Sequence, residues 1–172
     1  MIIIGISGKK KSGKTLMAQH IADVFPKRCK IISFADALKD DVCEFCKVSR
    51  QFLEDNKEDF RLILQGYGTN FRRKHSGNDY WIQRFLTTCY AQPTNTIIVV
   101  PDVRFKNEAK TILQINGLLF RIERLDCDIQ DQHPSEIELD QWTAWDMVLR
   151  NDSSIENFKN TINSVIKDWN IH

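Results

Sequence analysis

The chain has 172 residues, enough for one domain that buries about 70% of its unfolded surface. Its 24 basic side chains are balanced by 23 acidic ones, so no global field recruits nucleic acid or an anionic membrane, and any anion site must be local. No apolar run reaches the ~18 residues of a membrane span, and the opening Met1-Ile2-Ile3-Ile4 lacks the basic region and cleavage site of a signal peptide, so a cytoplasmic location is expected.

Taken in chain order, apolar runs suited to buried strands are predicted over Ile2 to Ser7, Lys30 to Phe34, Thr96 to Val100, Leu118 to Glu123 and Asp146 to Arg150. Helical patterns fill the gaps, with Leu16 to Val24 after the first strand and Phe105 to Ile115 after the third. This alternation predicts an α/β fold in three layers, a five-stranded parallel sheet with helices on both faces. Between the second and third strands, residues 37–93 are too long for a plain crossover and read as a helical insertion. Within it Phe60, Ile63, Leu64, Tyr67 and Phe71 repeat at helical spacing, while Arg61, Gln65 and Arg72 share another face. Gly66 and Gly68 are the points where that helix would break. The polar, Pro-containing stretch 126–135 has no periodicity and reads as a mobile loop. A final helix is marked by Ile155, Phe158, Ile162, Val165, Ile166 and Trp169 on one stripe, opened by a Ser153/Glu156 capping box.

Five cysteines without an export signal argue for reduced thiols. Cys43 and Cys46 form a lone CxxC with no second pair, and His20, His75, His133 and His172 are scattered, so core packing beside Val42 and Phe45 is expected rather than zinc or redox chemistry.

The most informative stretch is Gly8-Lys9-Lys10-Lys11-Ser12-Gly13-Lys14-Thr15, a complete G-x-x-x-x-G-K-[ST] between an apolar strand and a helix. Such a P-loop wraps main-chain N–H groups around a β-phosphate and aims a helix N-terminus at it. Gly8, Lys11, Ser12 and Gly13 supply the cradle, Lys14 the charge for β- and γ-phosphates, and Thr15 a hydroxyl for Mg²⁺. Lys9, Lys10 and Lys11 otherwise read as solvated lysines that raise the local potential. A GTPase is excluded because Asn56-Lys57-Glu58-Asp59 follows no apolar strand and no D-x-x-G occurs.

The third strand delivers Asp102 and Arg104 at its carboxyl end, where open α/β sheets bind ligands. Asp102 suits Mg²⁺, and the guanidinium fork of Arg104 suits a phosphate. After the second strand, Asp36 and Lys39 are weaker candidates for an acceptor or metal.

In order along the chain, GISGKKKSGKT, SFADALKD, LQGYGTNFRR, DYWI, VVPDVRFKNEA, RIER, HPSE and NDSSIENF resemble the deoxynucleoside monophosphate kinases of bacteriophages and related bacterial proteins. The resemblance implies a single P-loop kinase domain over residues 1–172, with an acceptor-binding insertion at 37–93 and a lid at about 124–142. It implies Mg-ATP as donor and a deoxynucleoside 5′-monophosphate as acceptor, small-molecule partners only, and, for a viral protein, the host cytoplasm. A homodimer is left open. Residue by residue, it assigns Asp36, Lys39, Arg61, Gln65, Arg72, Trp81 and Arg104 to the acceptor, with Trp81 stacking on a base unless it is core. Arg121, Arg124, His133 and Glu136 become lid residues, and Asn151 falls near the donor adenine. Because phosphoryl transfer mainly needs charge neutralised on the moving group, Lys14, Arg104, Arg121 and Arg124, with Asp36, are the expected catalytic residues. Two other readings share the fold: a kinase for another acceptor such as dephospho-coenzyme A, and an ATPase without an acceptor.

Overall fold

A computed structural model describes residues 1–73, 75, 77, 79–125 and 133–171, leaving aside the side chains of Thr69, Asn70, Arg72 and Arg73. Along the chain run β1 (Ile2–Ser7), α1 (Lys14–Val24), β2 (Cys29–Ile31), α2 (Asp36–Cys46), α3 (Arg50–Asp55), α4 (Arg61–Gln65), a π-helical stretch (Gly66–Arg73), α5 (Tyr80–Tyr90), β3 (Ile97–Val100), α6 (Lys106–Gln114), β4 (Leu118–Glu123), α7 (Pro134–Ile137), β5 (Met147–Arg150) and α8 (Ile155–Asp168). Packing divides them into two units, residues 1–32 with 92–172, and residues 33–91.

The first unit is built on a parallel sheet of order β2-β3-β1-β4-β5. β1 lies at its centre because Ile3 through Ser7 are all buried, as a strand covered on both faces requires. Register sets Gly5 beside Val100 and Ser7 beside Arg121, so the carboxyl ends of β1, β3 and β4 come together. Ile4 and Ile6 point to a core made with Met17, Ala18 and Ile21 of α1 and Phe158, Ile162 and Val165 of α8. Each fully buried side chain of this kind contributes about 1.5–3 kcal/mol relative to exposure. Gly5 faces the other way, where a Cβ would lie 3.1 Å from Leu119 and Val103 and 3.2 Å from Ile112 of α6. Helices therefore cover both faces, as the alternation of patterns predicts.

Four local expectations are corrected. β2 ends at Ile31 rather than at Phe34, because this edge strand has only β3 to pair with and Phe34 packs instead on Phe85, 4.1 Å between ring centroids. α8 is capped by Ser154, whose hydroxyl accepts from the Asn157 N–H at 3.2 Å, so the helix starts one residue late for a Ser153/Glu156 box. Its stripe is correspondingly shorter: Phe158, Ile162 and Val165 are buried, but Ile155 is 64% exposed. On α2, Val42 is buried while Cys43 and Cys46 are half-buried and Phe45 is 81% exposed, so Phe45 is not core.

The second unit packs α2, α3 and α5 around Val42, Leu53, Trp81, Ile82 and Phe85. Its chain does not break at the expected glycines; it widens into π-helix. A Cβ on Gly68 would meet Leu38 at 2.7 Å, and the Gly68 carbonyl accepts the Trp81 indole N–H at 3.1 Å, so this close approach needs glycine. The apolar stripe is not continuous: Ile63 of α4 and Phe71 of the π-helical stretch are both exposed.

Cys29, Cys43, Cys46 and Cys89 are free thiols. Burial pushes Cys29 up to about 11 and Cys89 up to about 12, so neither is a thiolate near neutral pH. Among the described residues no helix is long and apolar enough to cross a membrane.

Candidate active site

The loop from Gly8 to Gly13 joins β1 to α1 with three residues at positive φ: Gly8 at 143°, Lys11 at 65° and Gly13 at 110°. Both glycines are demanded by space as well as by conformation. A Cβ on Gly8 would sit 2.4 Å from the Ile122 carbonyl oxygen, and one on Gly13 would sit 2.4 Å from Asn151 Nδ2. The Ser12 N–H closes a turn on the Lys9 carbonyl at 3.2 Å. Among the described residues no side chain caps α1, and an uncapped helix N-terminus of this kind suits an anion. Ser12 Oγ is buried without a hydrogen-bond partner among the described residues, which is a costly state. Lys14 Nζ donates to the carbonyls of Gly8 and Lys9, each at 2.7 Å, which parks the ammonium at the loop. Thr15 is exposed in the first turn of α1.

Beside the loop, the turn after β3 is fastened to the sheet by the Val103 N–H donating to the Ile6 carbonyl at 3.3 Å. Glu108, 2% exposed, accepts the main-chain N–H groups of Arg104 at 2.8 Å and Phe105 at 3.0 Å. This buried carboxylate of α6 fixes where Arg104 leaves the backbone. The Arg104 guanidinium then pairs with Glu136 of α7, whose side chain is only 8% exposed. Asp102 lies half-buried in the same turn.

Lys9 bridges to the same segment, donating to the Glu136 carbonyl at 2.6 Å and to Asp140 Oδ2 at 2.7 Å. It is therefore held by protein partners, contrary to the expected solvated lysine. Arg121 sits within β4, as the predicted strand has it, and ahead of the expected lid at 124–142. Its guanidinium donates to the Leu139 carbonyl at 3.1 Å, lies 3.5 Å from Asp140 and stands 5.5 Å over the Trp145 ring. These cations and carboxylates line one crevice with Ser7, Gly8 and Ser135.

Three other candidates in this unit fall elsewhere. His133 caps α7, its ring Nδ1 accepting from the Ser135 N–H at 3.2 Å. Arg124 is exposed just beyond β4. Asn151 is 4% exposed and donates through Nδ2 to the Ser12 carbonyl at 2.8 Å, so it supports the loop. Of the expected lid, residues 126–132 lie outside the described residues.

Within the second unit, Asp36 begins α2 and accepts from the Ser33 N–H at 2.7 Å and from Arg50 at 2.6 Å. Lys39 pairs with Glu54 at 2.6 Å. Arg50 also reaches Glu54 at 3.2 Å and pairs with Asp40, making it the hub of a network that the sequence pattern did not reveal. Burial pulls the Glu54 carboxyl up, but hydrogen bonding and charge from Lys39, with Lys57 and Arg50, overcome this and leave it below its ordinary value. Arg61 lies 3.6 Å from Glu58, and Gln65 is half-buried in α4. The Arg72 side chain lies outside the described residues. Trp81 is 3% exposed with its indole N–H satisfied within the unit, so it is core and not a stacking platform.

The sequence model for phosphomevalonate kinase matches residues 6–117, from within β1 through the second unit to the residue before β4. The chain belongs to the phosphomevalonate kinase-like family of P-loop kinases. A protein of Acanthamoeba polyphaga mimivirus, given provisionally by its name as a deoxynucleotide monophosphate kinase, is 30% identical over 190 residues, covering 96% of each chain. Among solved structures, shikimate kinase from Aquifex aeolicus aligns with a TM-score of 0.53 at 12% identity, covering 99% of each chain. Shikimate kinase from Acinetobacter baumannii, in complex with shikimate, aligns at 0.51 and 8% identity, over 98% of this chain and 94% of the other. Those two likenesses concern the fold, which in this kinase is the five-stranded parallel sheet with its loop after β1.

Proposed function

We propose that this kinase transfers the γ-phosphoryl group of Mg-ATP to the 5′-phosphate of a deoxynucleoside monophosphate. The observation that carries the acceptor is the mimivirus relative, alike over nearly the whole of both chains. The site's chemistry supports it. An acceptor phosphate is already anionic near neutral pH, so phosphoryl transfer to it needs positioned cations rather than a general base.

Lys14 exchanges the carbonyls of Gly8 and Lys9 for donor phosphate oxygens, and the N–H groups of the loop and of α1 hold the β-phosphate. Ser12 Oγ gains its missing partner there. Arg104 exchanges Glu136 for an anionic phosphate, and Arg121 adds charge from β4. Thr15 and Asp102 are the residues that would hold Mg²⁺, which supplies charge neutralisation on the transferred group. Among the described residues no three His, Cys, Asp or Glu side chains converge on a metal, so the ion fits here only in company with phosphates. In the second unit, Asp36, Lys39, Arg61, Gln65 and Arg72 are the proposed acceptor-binding residues.

The test is a panel of acceptors with Mg-ATP and purified protein, scored for acceptor-dependent ADP. Deoxynucleoside and ribonucleoside monophosphates are set beside mevalonate 5-phosphate and dephospho-coenzyme A. Turnover confined to either of the last two overturns the acceptor, and ADP release indifferent to every acceptor overturns the kinase reading of the second substrate.

A further inference from the structure

We propose that Asn151 is the positioning residue of the phosphate-binding loop, acting through the Ser12–Gly13 peptide and not by contact with nucleotide. Asn151 directly follows β5, and its own N–H donates to the Glu123 carbonyl at 2.8 Å, so its backbone extends the sheet ladder. Its side chain therefore springs from a rigid element. Its amide Nδ2 donates to the Ser12 carbonyl at 2.8 Å in a buried setting.

All peptide bonds described are trans, and in a trans peptide the C=O and the following N–H point to opposite sides. Fixing the Ser12 carbonyl on Asn151 thus turns the Gly13 N–H away from Asn151, toward the concave side that an anion occupies. Were the peptide to flip, an oxygen would meet the phosphate where a hydrogen now does. Gly13 can take either orientation because it has no side chain, so the choice must come from outside the loop. The fit is close: a Cβ on Gly13 would stand 2.4 Å from Asn151 Nδ2 and 3.3 Å from the Phe158 ring. The side chain must be a donor. A carboxylate of the same shape would oppose the Ser12 carbonyl and place a negative charge behind a phosphate site.

The inference rests on the loop's role as donor site, and the experiment separates the two. Full-length wild type, Asn151→Asp and the core control Ile162→Val are titrated with Mg-ADP by calorimetry, melted, and assayed for both Michaelis constants. Expected for N151D is a loss of Mg-ADP affinity of about tenfold or more, the scale of one hydrogen bond to a charged group. The Michaelis constant for ATP rises with it while that for the acceptor stays put. Expected for I162V is a lower melting temperature with unchanged affinity. Wild-type affinity in N151D, or both Michaelis constants rising together in step with the loss of melting temperature, overturns the proposal and leaves Asn151 a packing residue. Absence of Mg-ADP binding in the wild type overturns the donor reading, and this inference with it. If N151D does not fold, Asn151→Ala, which removes the donor altogether, is measured against the same outcomes.

Discussion

Lys9, the second residue of the P-loop, is joined to Asp140 by an ion pair of 2.7 Å that spans 131 positions of sequence. The same ammonium holds the Glu136 carbonyl at 2.6 Å, so one side chain ties the loop to both ends of the segment that follows α7's start. Through Glu136 the tie reaches Arg104, and through Asp140 it reaches Arg121. Loop geometry and the placement of both arginines are thereby linked.

That linkage predicts a measurable coupling. Asp140 is 37% exposed, so solvent screens the pair and its contribution to stability should stay below about 1 kcal/mol. A double-mutant cycle with Lys9→Met and Asp140→Asn should show the two changes to be non-additive in the Michaelis constant for ATP, with the coupling shrinking as salt is raised. Strict additivity would mean that the pair does not support the loop.

Lys14→Ala should lower turnover by roughly 10²- to 10³-fold, the scale for losing one preorganised electrostatic partner at a site of developing charge. Single-turnover kinetics with saturating ATP make the measurement, since they isolate transfer from binding. A rate within a factor of two of wild type would remove Lys14 from the transfer step.

Glu136 neutralises Arg104 whenever the two are paired, so any anion that captures this guanidinium must first displace a carboxylate. Glu136→Gln should therefore lower the Michaelis constant for the monophosphate by a few-fold and leave that for ATP little changed, whereas Arg104→Ala should raise it. If Arg104→Ala affects ATP more than the acceptor, the arginine belongs to the donor.

How far these relationships were visible beforehand follows from their physical range. β1 could be read to the residue because consecutive buried residues covered on two faces leave a nearly continuous apolar run in sequence, and β4 could be read from its Leu118-Leu119-Phe120 start although Arg121 interrupts it. The loop could be read because Gly8 and Gly13 answer local demands of φ and space. The partners of those residues could not. Asn151 meets Ser12 across 139 positions, and Glu136 meets Arg104 across 32, contacts set by how strands are ordered in the sheet rather than by any local pattern. Trp81 was ambiguous for a different reason: its ring suits either a base or a core, and only the Gly68 carbonyl waiting at its indole N–H decides. β2 was overrun because an apolar Phe34 looks like strand until Phe85 offers it a better partner.

The second unit should lose stability in acid in a window fixed by Glu54. Its carboxyl is held below the ordinary value of 4.5 by Lys39, Lys57 and Arg50 against the opposing effect of burial. A carboxyl depressed in the folded state contributes stability that is complete above its unfolded pKa and drains away as pH falls through the folded one. The unfolded chain then binds more protons than the native one, so the slope of stability against pH is positive throughout that window. Hydrogen exchange of α2 and α3 between pH 6 and pH 3 makes the measurement. Protection should be level down to about pH 4.5 and fall below it. Glu54→Gln should flatten that fall while lowering protection at neutral pH, because Lys39 loses the partner it holds at 2.6 Å. An equally steep acid limb in Glu54→Gln would show that Glu54 does not set it.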